Sequence, residues 1–283
     1  DYDYTTEQLL GLLKFADNQF ARWDAAQMLF TQELRRNVAH FQQGEAFDIS
    51  PNILTALAHV LENYEQDIEL ATLILTLPKD IEFAESFKTI DPDGIAAARE
   101  FMLAQIAEYL KEDLLRIYTH IRLENYQVTQ EDIALRAMRN LCLSYLAYTN
   151  LGNTVVQKHY NNANNMTDTL AALNMATKAA LPCRDALLAD FEQKWQHDGL
   201  VIDKWFALQA TRPDENVLEI VQVLMDHPSF NFNNPNRLRS LVGSFANHNL
   251  KAFHHISGSG YRFLTDVLIR LNETNPQVAA RLI

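Results

Sequence analysis

No stretch of the chain alternates apolar and polar residues as a half-buried strand does; the apolar positions repeat at three and four residues from one end to the other. Phe20, Trp23, Ala26, Gln27 and Phe30 follow that spacing, as do Ile133, Ala137, Leu141, Ser144 and Tyr145. A helical period throughout reads as an all-α fold. Glycine and proline, 8 each in 283 residues, are too sparse for a turn-rich chain. Several of the prolines mark helix starts. Ser50-Pro51, Asp91-Pro92, Asn234-Pro235 and Asn275-Pro276 each set a capping side chain before a residue whose missing N–H costs nothing at the first helical position. Thr129 with Asp132 makes a capping-box-like pair, and stops fall at Gly44, Pro78, Gly199 and Pro228. These signals predict helices over 6–16, 19–43, 51–62, 67–77, 92–124, 130–148, 153–162, 168–180, 183–197, 201–211, 215–226, 235–246, 260–273 and from 276 onward.

Two cap pairs share a spacing: 91 minus 50 and 275 minus 234 are both 41. That period belongs to helical-pair repeats. The expected architecture is an α-solenoid-like stack of antiparallel helix pairs of the HEAT or armadillo kind, a single domain over 1–283, with an irregular bundle as the alternative. The helix opening at Pro276 has room for about two turns, too few to be stable alone. A repeat unit needs a neighbour over its apolar face, so the stack is expected to be truncated before its final helices and the chain to be a fragment of a larger protein.

Lys plus Arg is 24 against 36 for Asp plus Glu, a net charge of −12, which disfavours nucleic acid and anionic membranes as main partners. No apolar run is long enough to span a membrane, and no export signal is present. Cys142 and Cys183 lie in apolar surroundings without metal-type spacing. They predict buried thiols and a reducing compartment, the cytoplasm.

Catalytic patterns do not emerge. A zinc hydrolase needs two histidines at i and i+4 on one helix face, as in H-E-x-x-H, and none of the nine fits. His254 and His255 are adjacent and diverge by about 100° on a helix, with His248 six positions earlier, so surface or packing roles are expected. The segment SGSG at 257–260 lacks the lysine of a phosphate-binding loop and reads as a connection ending in a helix cap, Ser259. Neither a G-x-S-x-G elbow nor a Cys–His pair at a family spacing occurs. Glu108, Glu112 and Asp113 read as a solvated face, and Trp195, Trp205, Phe191 and Phe206 as core. No residue of this chain is therefore assigned to catalysis or to a metal.

One polar element stands apart, NNPNRLRSLVGSFANHN. Leu238, Leu241, Val242 and Phe245 form an apolar face, with Arg237 and Arg239 about 200° apart around it. One arginine can face out while the other faces in. Arg281 is expected in the opening turns of the next capped helix, as Arg239 is in this one, and cations near a helix start call for an anion or carboxylate to compensate them. Ordinary surface ion pairs are the alternative for these residues.

Six blocks, FARWDAAQ (20–27), NNANNMTDTLAALN (161–174), LPCRDALL (181–188), GLVIDKWFALQAT (199–211), NPNRLRSLVGSFANHN (234–249) and GSGYRFLTDVLIRLNETNPQVAARLI (258–283), carry a family likeness over nearly the whole chain. In them the sequence closely resembles the C-terminal helical domain of the bacterial aminopeptidase N family, the zinc-dependent alanyl aminopeptidases of the gluzincin type. The resemblance implies a non-catalytic domain that closes over the catalytic domain of the same polypeptide and shapes a chamber for peptide substrates. It implies zinc in that catalytic domain, whose H-E-x-x-H helix, downstream Glu ligand and G-x-M-E-N segment are absent from these residues. It also implies that Arg239 and Arg281 face the substrate chamber. A free-standing helical-repeat scaffold that binds proteins is the competing function.

Overall fold

The computed structural model describes residues 3–123 and 125–282; among them the regular structure is helical, without a strand. The chain divides into two compact units, Asp1–Ala171 and Ala172–Ile283. The fold is all-α and repeat-like, as the apolar period requires.

The first unit holds α1 (Thr6–Phe15), α2 (Gln19–Gln43), α3 (Pro51–Glu62), α4 (Ile68–Ile74), α5 (Asp80–Ala84), α6 (Pro92–Tyr109), α7 (Lys111–His120), α8 (Gln130–Leu146) and α9 (Gly152–Asn162). A further helix, α10 (Met166–Lys178), runs across the boundary. The long α2 packs against α1, α4 and α6, and α8 against α4, α6, α7 and α9. Their period delivers Leu29, Phe30 and Leu34 of α2 and Met138, Cys142 and Tyr145 of α8 to the interior. Each such large apolar side chain contributes about 1.5–3 kcal/mol through burial. Tyr145 also donates its hydroxyl to the Leu75 carbonyl at 2.5 Å, so its one polar atom is satisfied inside the core.

The second unit holds α11 (Arg184–Trp195), α12 (Gly199–Ala210), α13 (Val217–Leu224), α14 (Pro235–Leu238), a π-helical turn (Arg239–Gly243), α15 (Ser244–His248), α16 (Leu250–Phe253), α17 (Ser259–Thr274) and α18 (Pro276–Ala280). Central to it is α12, which packs against α11, α13, α15 and the π turn. Phe191, Trp205 and Phe206 are core residues as expected, whereas Trp195 is half-buried.

Most expected caps form. Asp91 accepts from Gly94 N at 3.0 Å, Thr129 from Asp132 N at 3.1 Å, Asn234 from Asn236 N at 3.0 Å and Asn275 from Val278 N at 3.2 Å. Ser50 is different, because its side chain caps nothing and its N–H instead donates to the buried Glu33 carboxylate at 3.1 Å. The helix expected over 92–124 breaks at Leu110, and position 124 itself lies outside the described residues. Bending there lays α7 on α8, where Leu114 and Ile117 become fully buried. The cap expected at Ser259 lies one residue earlier: Gly258, at φ +70°, takes the left-handed conformation that a side chain would resist, and Ser259 is already helical.

Candidate functional site

The two arginines of the NPNRLRS segment are sorted by their surroundings. Arg237, 6% exposed, donates Nε to the Asp203 carboxylate at 2.5 Å, Nη2 to the Gly199 carbonyl at 3.1 Å and Nη1 to the Ser229 carbonyl. Its guanidinium also lies 5.1 Å from the centre of the Phe206 ring. Asp203 is the carboxylate that a cation in the first turn of a helix calls for. Ser240, one turn on, adds its hydroxyl to the same carboxylate at 3.2 Å. With positions 237 and 240 held against α12, position 239 is turned outward.

Arg239 is exposed, and its side-chain partner is Asn236, whose Oδ1 accepts from Nη1 at 3.3 Å. Here the backbone departs from the α-helix. Ser244 N–H reaches back five residues to the Arg239 carbonyl, opening a π turn over Arg239–Gly243. Arg281, also exposed, ends α18, and its backbone N–H donates to the carbonyls of Ala279 and Val278. The structure brings the two sites together through their neighbours. The position a Cβ would take on Gly243 lies 3.6 Å from Arg239 Cβ and 3.6 Å from Leu282 Cδ2. Among the described residues, neither Arg239 nor Arg281 forms an ion pair with a carboxylate. Both are cations available to an anion or a carbonyl.

A pocket of about 300 Å³ opens in the same unit, lined by Phe232, Asn233, Pro235, Leu271, Asn275 and Val278. Pro235 and Val278 stand one helical turn before Arg239 and Arg281. The Arg270 guanidinium covers the Phe232 ring at 4.0 Å from its centre. Sequence reasoning did not find this pocket or the roles of Asn236, Gly243 and Leu282. The two Asn-Pro caps that bracket the pocket were its available signal.

A zinc ion takes three or four ligands from His, Cys, Asp or Glu. Among the described residues no group of three or more such side chains is arranged to hold a metal. Individual histidines are engaged otherwise: His254 Nδ1 is 2.5 Å from the Tyr261 hydroxyl, and His255 Nδ1 is 2.8 Å from Ser257 Oγ. Burial pushes the His254 imidazole below its ordinary pKa. These residues do not fit a resident zinc. Cys142 and Cys183 are buried, and desolvation pushes the Cys142 thiol up to about 12. No helix among the described residues is long and apolar enough to cross a membrane.

The exposed arginines stand on an all-α, repeat-like fold, and that fold is shared with a known family. The chain belongs to the family described as "Domain of unknown function (DUF3458_C) ARM repeats", which matches residues 6–283. Over 283 residues it is 86% identical to an aminopeptidase N of Haemophilus influenzae, covering 100% of this chain and 33% of that protein. Aminopeptidase N of Escherichia coli is 48% identical over 285 residues, again 100% of this chain and 33% of the relative. The Caulobacter vibrioides aminopeptidase N is 34% identical over 270 residues, 93% of this chain and 31% of that protein. Among solved structures, Legionella pneumophila aminopeptidase A in complex with aspartic acid matches with a TM-score of 0.88 at 27% identity, covering 100% of this chain and 34% of that one. The chain thus spans about a third of the length of the relatives it matches, and corresponds to their C-terminal part.

Proposed function

We propose that these residues form the non-catalytic C-terminal domain of a cytoplasmic zinc aminopeptidase that removes N-terminal amino acids from peptides. The single observation that carries this reading is the whole-chain identity to aminopeptidase N proteins three times as long. In this reading residues 1–283 act as one domain that closes over the catalytic domain of the same polypeptide and shapes the substrate chamber. The zinc sits in that catalytic domain, where it supplies a Lewis acid and an activated water. What this chain supplies is position: Arg239 and Arg281 present charge-assisted donors to carbonyls or the carboxylate of a peptide beyond the scissile bond.

The chain by itself separates this reading from that of an enzyme in its own right. Elemental analysis of the purified chain is expected to give no stoichiometric zinc, and an aminoacyl amide is expected to remain intact in its presence. One tightly held zinc per chain together with turnover would overturn the assignment.

A further inference from the structure

We infer that Gly243 is the positioning residue for the Arg239 and Arg281 pair, its bare Cα seating the stem of one arginine against the residue that follows the other. The inference rests on the reading of these arginines as peptide-facing. The rotation of the segment is set on one side, where Asp203 holds both Arg237 and Ser240. The far end of Arg239 rests on Asn236. Among the described residues Arg281 has no comparable anchor; α18 is 5 residues long and ends at its backbone. What ties it to the rest of the site is Leu282, buried with a methyl 3.6 Å from the missing Cβ of Gly243. Arg239 Cβ and Cγ lie 3.6 and 3.8 Å from the same point. The π turn brings this glycine beneath Arg239, and the widened turn stores the special geometry that such turns often lend to functional sites.

Size at position 243 therefore sets the separation of the two guanidinium groups. A methyl at 3.6 Å is an ordinary contact and fits. The two further methyls of valine do not, and they push Leu282 and the Arg239 stem apart. Because a small misplacement of a binding group costs rate or affinity, the effect belongs to substrates long enough to reach the arginines.

The test uses the full-length protein that carries this chain, with a tripeptide and an aminoacyl anilide as the two substrates. Gly243→Ala, whose methyl meets ordinary contacts, is expected to change the tripeptide KM less than Gly243→Val does. Gly243→Val is expected to raise KM for the tripeptide roughly fivefold with anilide kinetics changed less than about twofold, and Leu282→Ala in the same molecule is expected to recover most of the loss by opening space for the valine. Equal changes on both substrates, an unchanged tripeptide KM, or no recovery in the double variant would overturn the inference. Should Gly243→Val not fold, Leu282→Ala alone, which only removes atoms, is expected to raise the tripeptide KM; an unchanged value counts against the inference equally. Arg239→Ala separates the two levels of the proposal. If it spares the tripeptide, the reading of the arginines fails and the positioning role falls with it. If it discriminates between the substrates while Gly243→Val does not, the positioning role alone is lost.

Discussion

One polar cluster in each unit settles its charge in a different way. In the first, Tyr118, His159 and Asp168 meet in the interior: the Tyr118 hydroxyl is 2.9 Å from His159 Nδ1, and Asp168 Oδ1 is 3.9 Å from Nε2. Asn140 and Asn165 donate to the Asp168 carboxylate at 3.0 and 2.9 Å, and the Arg139 guanidinium lies 5.1 Å from the centre of the Tyr118 ring. In the second unit, the half-buried Asp203 meets the buried Arg237. The outcomes diverge because the cations differ. Histidine can escape the cost of burial by losing its proton, and burial together with Arg139 pushes His159 well below its ordinary pKa, Asp168 opposing them without prevailing. Arginine has no such exit, and each of the three Arg237 guanidinium nitrogens has an acceptor. The surplus arginines of the second unit, Arg239 and Arg281, are left at the surface.

The largest expected effect lies at that pairing. Arg237→Ala takes the cation from the half-buried Asp203 and the donor from the Gly199 and Ser229 carbonyls, and is expected to cost about 3 kcal/mol. Arg239→Ala, two residues away and exposed, is expected to stay within about 0.5 kcal/mol. Urea titrations of both variants measure the contrast; similar losses would erase the distinction between a pinned and a presented arginine.

The two units also share a feature. Gly152 in the first and Gly260 in the second both sit where a helix begins against the backbone of the preceding one. A Cβ on Gly152 would lie 2.3 Å from the Ala147 carbonyl oxygen, and one on Gly260 2.2 Å from that of Phe253. Both alanine variants are expected to lose about 1–3 kcal/mol, since a backbone atom cannot step aside as a flexible side chain can. Thermal unfolding checks the pair, and a neutral result at either glycine breaks the symmetry.

The smallest effect is a pH dependence that tells the units apart. The folded pKa of His159 is depressed, so its contribution is fully present above the ordinary value of 6.5 and is lost as pH falls below it, because the unfolded chain takes up the proton first. For Asp214, burial raises the carboxyl but hydrogen bonds and charges from Arg212 and Arg184 outweigh it, and the net shift is downward. Its contribution is present above the ordinary 3.8 and is lost only below that. Hydrogen exchange, corrected for intrinsic rates, is therefore expected to show α9 losing protection in milder acid than the start of α11. The local slope approaches at most about 1.4 kcal/mol per pH unit and is expected to flatten in His159→Gln. A simultaneous loss in both regions would contradict the assignment.

What the sequence made legible follows the range of each signal. Helix starts depend on a few adjacent residues, and the caps at Asp91, Thr129, Asn234 and Asn275 were readable for that reason. The break at Leu110 was not, because it comes from packing of α7 on α8, between residues whose own propensities favour one continuous helix. Helices as short as α5 and α16 span too little of a period to register. At the site, the opposite facing of Arg237 and Arg239 was visible from their offset alone. Which of them faces inward was decided by Asp203, a residue 34 positions away from Arg237, and no local pattern reports that. The π turn was equally hidden, since the extra residue it holds leaves the helical apolar pattern of Leu238, Leu241, Val242 and Phe245 intact.

The reading of this chain as the peptide-facing part of an aminopeptidase stands or falls on substrate length. In the full-length protein, Arg239→Ala and Arg281→Ala are each expected to weaken handling of a tripeptide roughly tenfold, mainly through KM, as the loss of a charge-assisted hydrogen bond implies. An aminoacyl anilide, which lacks the atoms those guanidinium groups would meet, is expected to be cleaved almost normally. Steady-state kinetics that fall equally on both substrates, together with a lowered melting temperature, would make the two arginines stabilising residues and contradict their part in the chamber.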